Sequence, residues 1–167
     1  LIVSPELEFL ERVPLFNGLN SQQLTSIQGI LKKRTWPAGG VILQEGETGQ
    51  TVYILVSGTV QVSKKLCLGE DREEMEKSLV NLHAREPEVL GEAGLLGNGA
   101  RAATVAAVKT CEAYEINRDD FLKLCKIDPV LGYITMRNLA QILESRLRKT
   151  NQDVLKLATA LSIALGH

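Results

Sequence analysis

Apolar positions in the first thirty residues recur at helical steps. Leu7, Phe9, Leu10 and Val13 share one side of a helix that Pro14 interrupts. A second helix follows, with Asn20 or Ser21 as its N-cap and Leu24, Ile27, Ile30 and Leu31 at three- and four-residue steps. The pattern then shortens. "WPAGG" (36–40) reads as a turn, "VIL" (41–43) as a short strand and "EGETG" (45–49) as a second turn. "TVYILVSGTVQV" (51–62) is rich in β-branched and aromatic residues and predicts two strands joined near Ser57-Gly58. "LVNL" (79–82), "ATVAAVKT" and "CEAYEI" supply further strands. Strands separated by short glycine turns predict an antiparallel sandwich or barrel rather than a parallel α/β sheet.

The charged run 63–78, "SKKLCLGEDREEMEKS", reads as a solvent-facing hairpin tip or loop. Near the C-terminus the helical period returns. Asn117 caps one helix, with Asp119 and Asp120 in its favourable first turn, and Asp128-Pro129 starts another. No glycine follows Gly132 before Leu165, so a continuous helix would be on the order of 50 Å long. Met136, Ala140, Leu143, Leu147, Thr150, Val154, Leu157, Leu161 and Ala164 alternate four- and three-residue steps, as in a heptad seam. Such a stripe either folds back on its own domain or packs against a second copy, and the length favours the copy. Thr150 is the polar member of the seam, flanked by Lys149 and Asn151.

Composition narrows the classes. The 167 residues suit one domain, and an apolar fraction of 44% with 23% charged residues is that of a soluble globular chain. A net charge of −1 gives no bulk reason to expect nucleic acid or an acidic membrane as partner. No apolar run is long enough to span a bilayer and no signal peptide is visible. The start at Leu1 rather than Met points to a fragment or processed chain. Cys67, Cys111 and Cys125 are widely spaced, which fits free thiols in a reducing cytosol; His83 and His167 are isolated, so no metal site is expected. No nucleophile–base pair or Walker-type motif suggests an enzyme.

The candidate chemistry lies in "GEAGLLGNGARAATV" (91–105), whose only charges are Glu92 and Arg101. A Gly- and Ala-rich backbone lets N–H groups approach an anion closely. Arg101 adds a planar fork suited to two phosphate oxygens. Glu92 would repel a bare phosphate but would accept from a sugar hydroxyl, so the pair suggests a small sugar phosphate such as a nucleotide. The alternative is that Glu92 and Arg101 simply pair with each other across a loop.

This stretch resembles the phosphate-binding cassette of the cyclic-nucleotide-binding domain family, of the catabolite activator and protein kinase A regulatory subunit type. The shared features are Gly-Glu, a short helical turn and Arg-Ala-Ala-Thr at the kinase-type spacing. "VPLFNGL" (13–19) and "PAGGVILQEGETGQTVYILVSGTVQV" (37–62) extend the resemblance, with Gly39, Gly46, Gly49 and Gly58 at the expected turns, so that it covers roughly residues 9–150. It implies a mainly β fold: an antiparallel jelly-roll barrel with N-terminal helices and a long C-terminal helix. On that basis residues 1–128 form the nucleotide-binding domain and 129–167 the lid or dimerisation helix.

The resemblance further implies that Glu92 accepts from the ribose 2′-hydroxyl and Arg101 pairs with the cyclic phosphate. The backbone of Gly91, Ala93, Gly94 and Ala102 would line the cradle. Alanine rather than threonine at 102 favours cyclic AMP over cyclic GMP. Thr150 and Asn151 sit where the family's C-helix contacts adenine and couples two subunits. Gly94 and Gly97 weaken the cassette's short helix, which a ligand would then order. The expected function is a cytoplasmic, homodimeric, non-enzymatic sensor of cyclic AMP that makes no membrane or DNA contact itself and needs no cofactor. Its rivals are an interaction module of the same fold without ligand, and the sensor part of a transcription factor whose DNA-binding domain lies outside this chain.

Overall fold

The computed structural model describes residues 4–68, 73–97 and 99–166. The chain opens with α1 (Pro5–Glu11), a 3-10 turn (Pro14–Phe16) and α2 (Ser21–Gln28). Among the described residues eight strands follow: β1 (Lys32–Trp36), β2 (Val41–Leu43), β3 (Thr51–Ser57), β4 (Thr59–Leu68), β5 (Glu73–His83), β6 (Glu88–Leu90), β7 (Thr104–Ala107) and β8 (Cys111–Asn117). Helices α3 (Arg118–Ile127) and α4 (Pro129–Ala164) close the chain. All pairs among these strands are antiparallel, in two four-stranded sheets ordered β1-β8-β3-β6 and β2-β7-β4-β5. This is the expected jelly-roll architecture with flanking helices. No described helix is long and apolar enough to cross a membrane.

Side-chain alternation divides the interior in two. On β3, Val52 and Ile54 face a helix-side core with Leu10, Phe16, Ile27 and Phe121, while Leu55 faces a second core between the sheets with Val60, Leu90 and Val105. The first sheet is therefore covered on both faces. The helix starts are set locally. Asn20 and Gln23 form a reciprocal capping box on α2, Asn117 accepts from Asp119 N at 2.9 Å, and Asp128 accepts from Leu131 N at 2.9 Å with Pro129 in the first turn.

Two strands lie outside the sequence expectation, and the charged run takes one of its two expected forms. Lys32–Trp36 is a strand that its charges conceal. It lies at a sheet edge, where Lys33 meets Glu112 at 3.1 Å and Arg34 grips Glu115 with two bonds of 2.9 and 3.2 Å. Of the two readings of residues 63–78, a hairpin tip or a loop, the hairpin stands: the β4–β5 ladder continues to Leu68 paired with Glu73. A ribbon held by its own backbone bonds needs no apolar alternation, so the charge run did not exclude strands. Residues 69–72 of that run, like His167, lie outside the described residues. The short strand β6 (Glu88–Leu90) had no periodic signal.

Helix α4 is rooted in the N-terminal helices. Gln23 Nε2 donates to Asp128 Oδ2 at 2.9 Å, and buried Asn138 Nδ2 donates to the carbonyls of Leu15 (3.1 Å) and Asn17 (2.8 Å). The heptad stripe does two jobs. Met136 and Leu143 pack against their own domain's core, whereas Leu147, Val154, Leu157 and Leu161 are exposed.

Candidate functional site

The segment after β6 is shaped by its glycines. Gly91 has φ +71°, in the left-handed region that favours glycine, and starts a 3-10 turn over Glu92–Leu95. The Gly94 N–H closes that turn on the Gly91 carbonyl at 2.9 Å. Buried Leu95 fixes it to the helix-side core. A Cβ at Gly94 would stand 2.6 Å from the Thr51 carbonyl oxygen, so only glycine lets the turn approach β3 this closely.

Arg101 is held by its backbone first: its N–H donates to Glu47 O at 2.8 Å, and its own carbonyl accepts from Gly46 N at 3.0 Å. Its guanidinium is then directed inward. Nη1 donates to Gly91 O at 3.0 Å, and Nη2 donates to Thr51 O at 2.8 Å and Thr51 Oγ1 at 3.1 Å. Three of the five N–H donors of an arginine are thus used by the protein. Burial pulls the Arg101 guanidinium below its ordinary pKa, opposed by the nearby Tyr53 and Glu92. A guanidinium stays protonated at neutral pH all the same. The result is a partly desolvated cation with two N–H groups that no hydrogen bond among the described residues engages, which an anion would satisfy.

Glu92 and Arg101 do not pair with each other. Buried Glu92 meets Arg146 of α4, with Oε1 to Nη1 at 2.5 Å, and Arg146 Nη2 also donates to Val89 O at 2.8 Å. Both charges nevertheless line one pocket of about 190 Å³ between cassette, sheet and α4. Gly91, Ala93, Gly94 and Ala102 line it beside them, and Val62, Leu82 and Val105 form an apolar wall. One end of the pocket therefore offers charge and backbone donors, and the wall offers a surface for a flat apolar group. Among the described residues, no group of His, Cys, Asp and Glu is placed to hold a metal.

Six of the eight expected ligand residues thus come together: Gly91, Glu92, Ala93, Gly94, Arg101 and Ala102. Thr150 and Asn151 are not in the lining of this pocket. They lie about one turn beyond Arg146 on the exposed part of α4, where Thr150 Oγ1 donates to the Arg146 carbonyl at 3.0 Å. Arg146 itself was missed. A lone arginine on a polar helix face carries no signal that it will fold back onto a distant carboxylate.

Known proteins resemble the chain over most of its length. The family described as cyclic nucleotide-binding domain matches residues 33–128. The chain is 30% identical over 142 residues to the cyclic AMP receptor protein of Thermus thermophilus, covering 84% of this chain and 60% of that protein. It is 30% identical over 125 residues to a cAMP-dependent protein kinase regulatory subunit of Dictyostelium discoideum, covering 74% of this chain and 37% of that one. The crystal structure of the Thermus thermophilus catabolite activator protein superposes with a TM-score of 0.72 at 31% identity, over 87% of this chain and 63% of that chain. The chain thus spans less than two thirds of each of these relatives. With more than half of its length matched by the family and the cassette in place, the chain belongs to the cyclic nucleotide-binding domain family.

Proposed function

We propose that this chain is a cytoplasmic cyclic AMP sensor that takes the nucleotide in the pocket beneath α4. The observation that supports this most is that Glu92 and Arg101 share one pocket without pairing. A cyclic nucleotide meets both needs: its single negative charge answers the spare N–H groups of Arg101, and its 2′-hydroxyl donates to Glu92. The apolar wall would take the base. Alanine at 102 leaves no hydroxyl to seek a guanine amino group, which favours adenine. Calorimetric titration tests this: saturable binding of one cyclic AMP per chain, at least about tenfold tighter than cyclic GMP, is expected. No heat with either nucleotide at millimolar concentration would instead favour an interaction module that has lost its ligand.

The exposed stripe Leu147, Val154, Leu157 and Leu161 supports a homodimer through α4, because four apolar side chains at heptad steps face solvent in the single chain. A second copy could then bring its Thr150 and Asn151 toward the base. Sedimentation equilibrium should return the mass of two chains; a monomer at about 100 μM, a concentration well above a micromolar Kd, contradicts the dimer. The incomplete coverage of the bacterial receptor keeps open a sensor role within a longer transcription factor.

A further inference from the structure

Helix α4 has a fixed root and an exposed outer half. Up to Leu143 it packs on the domain; from Glu144 to Gly166 every residue is exposed. Arg146 belongs to that outer half and yet reaches back to Glu92 and to the carbonyl of Val89. Its partner is the same carboxylate that the nucleotide reading assigns to the sugar. The two ends of this ion pair are unequal. The Glu92 side chain is 11% exposed and needs a donor wherever it sits, while the Arg146 side chain is 45% exposed and can return to water.

We propose that Arg146 is an internal competitor for the ligand's ribose. In the free chain it occupies Glu92, and the incoming 2′-hydroxyl displaces it, which releases the outer half of α4 at that point. This rests on the cyclic-nucleotide reading of the pocket and adds to it a residue that sets both affinity and sugar selectivity. A ribose ligand exchanges one donor to Glu92 for another. A 2′-deoxy ligand supplies no replacement and leaves Arg146 where it is. Arg146 therefore lowers the affinity for the ribose form and narrows the preference for ribose over deoxyribose.

The test is calorimetric titration of the wild-type chain, Arg146→Met and Arg146→Lys with cyclic AMP and with its 2′-deoxy analogue. Methionine keeps helix propensity and much of the aliphatic stem. Arg146→Met is expected to bind cyclic AMP about fivefold more tightly, the order an exposed ion pair can supply, with no gain for the deoxy analogue. Arg146→Lys, which keeps the charge without the fork, should fall between. Binding by Arg146→Met where the wild type shows none would also support the competitor. If the wild type binds cyclic AMP and Arg146→Met binds it equally or more weakly, or gains equally for both nucleotides, the competitor is overturned while the pocket reading stands. If none of the three chains binds, both fall together.

Discussion

Arg101→Leu is expected to weaken cyclic AMP binding by about 100- to 1000-fold, the loss of two charge-assisted hydrogen bonds in a partly desolvated site. Leucine cannot answer the phosphate charge. It also withdraws the donors that now satisfy Gly91 O, Thr51 O and Thr51 Oγ1, so part of the loss could come from a slackened turn. Arg101→Lys separates the two. Lysine keeps the charge but presents no planar fork, and a loss of about tenfold is expected for it. Urea unfolding of both variants shows whether the turn's bracing has been lost as well. Cyclic AMP affinity within about threefold of wild type in Arg101→Leu would remove the phosphate from this position.

Gly58→Ala carries the largest stability effect. Gly58 joins β3 to β4 with φ +100°, a conformation that costs any L side chain. An added Cβ would also stand 2.5 Å from Thr110 O and 2.6 Å from Cys111 Sγ. Neither neighbour can yield cheaply. Cys111 is wholly buried in the inter-sheet core, and its Sγ lies 3.2 Å from Thr59 O and 3.1 Å from Lys109 O. Strain and overpacking together are expected to cost about 3–5 kcal/mol, a large share of a typical domain's stability. Urea midpoints read this directly. A loss below about 1 kcal/mol would mean that the turn relaxes around the methyl group. Gly58 is not part of the pocket lining, so whatever fraction of the variant folds should still bind nucleotide.

What the sequence made legible follows the range of the interactions involved. Asn20, Asn117 and Asp128 act on residues two or three positions away, so their helix starts could be read directly. The Ser57-Gly58 turn was equally visible, but the reason alanine fails there was not, because Cys111 is distant in the chain. β1 was hidden because Lys33 and Arg34, on an edge strand, take their partners, Glu112 and Glu115, from another strand. The heptad stripe was real as a pattern and mixed in meaning: its first members pack on the domain and its later ones face outward. In the cassette, the sequence left two alternatives for Glu92 and Arg101, a shared ligand or a mutual pair. The folded chain removes the mutual pair and substitutes a partner from α4.

Nucleotide is expected to be held by the cassette 91–105. Titration of cyclic AMP into the isotopically labelled chain, followed by amide and arginine side-chain NMR, tests this. The expected result is saturable shifts concentrated at Gly91–Gly94 and Arg101–Ala103, accompanied by the Arg146 guanidinium. Saturable binding whose shifts lie elsewhere, or an unchanged spectrum at millimolar nucleotide, would contradict it.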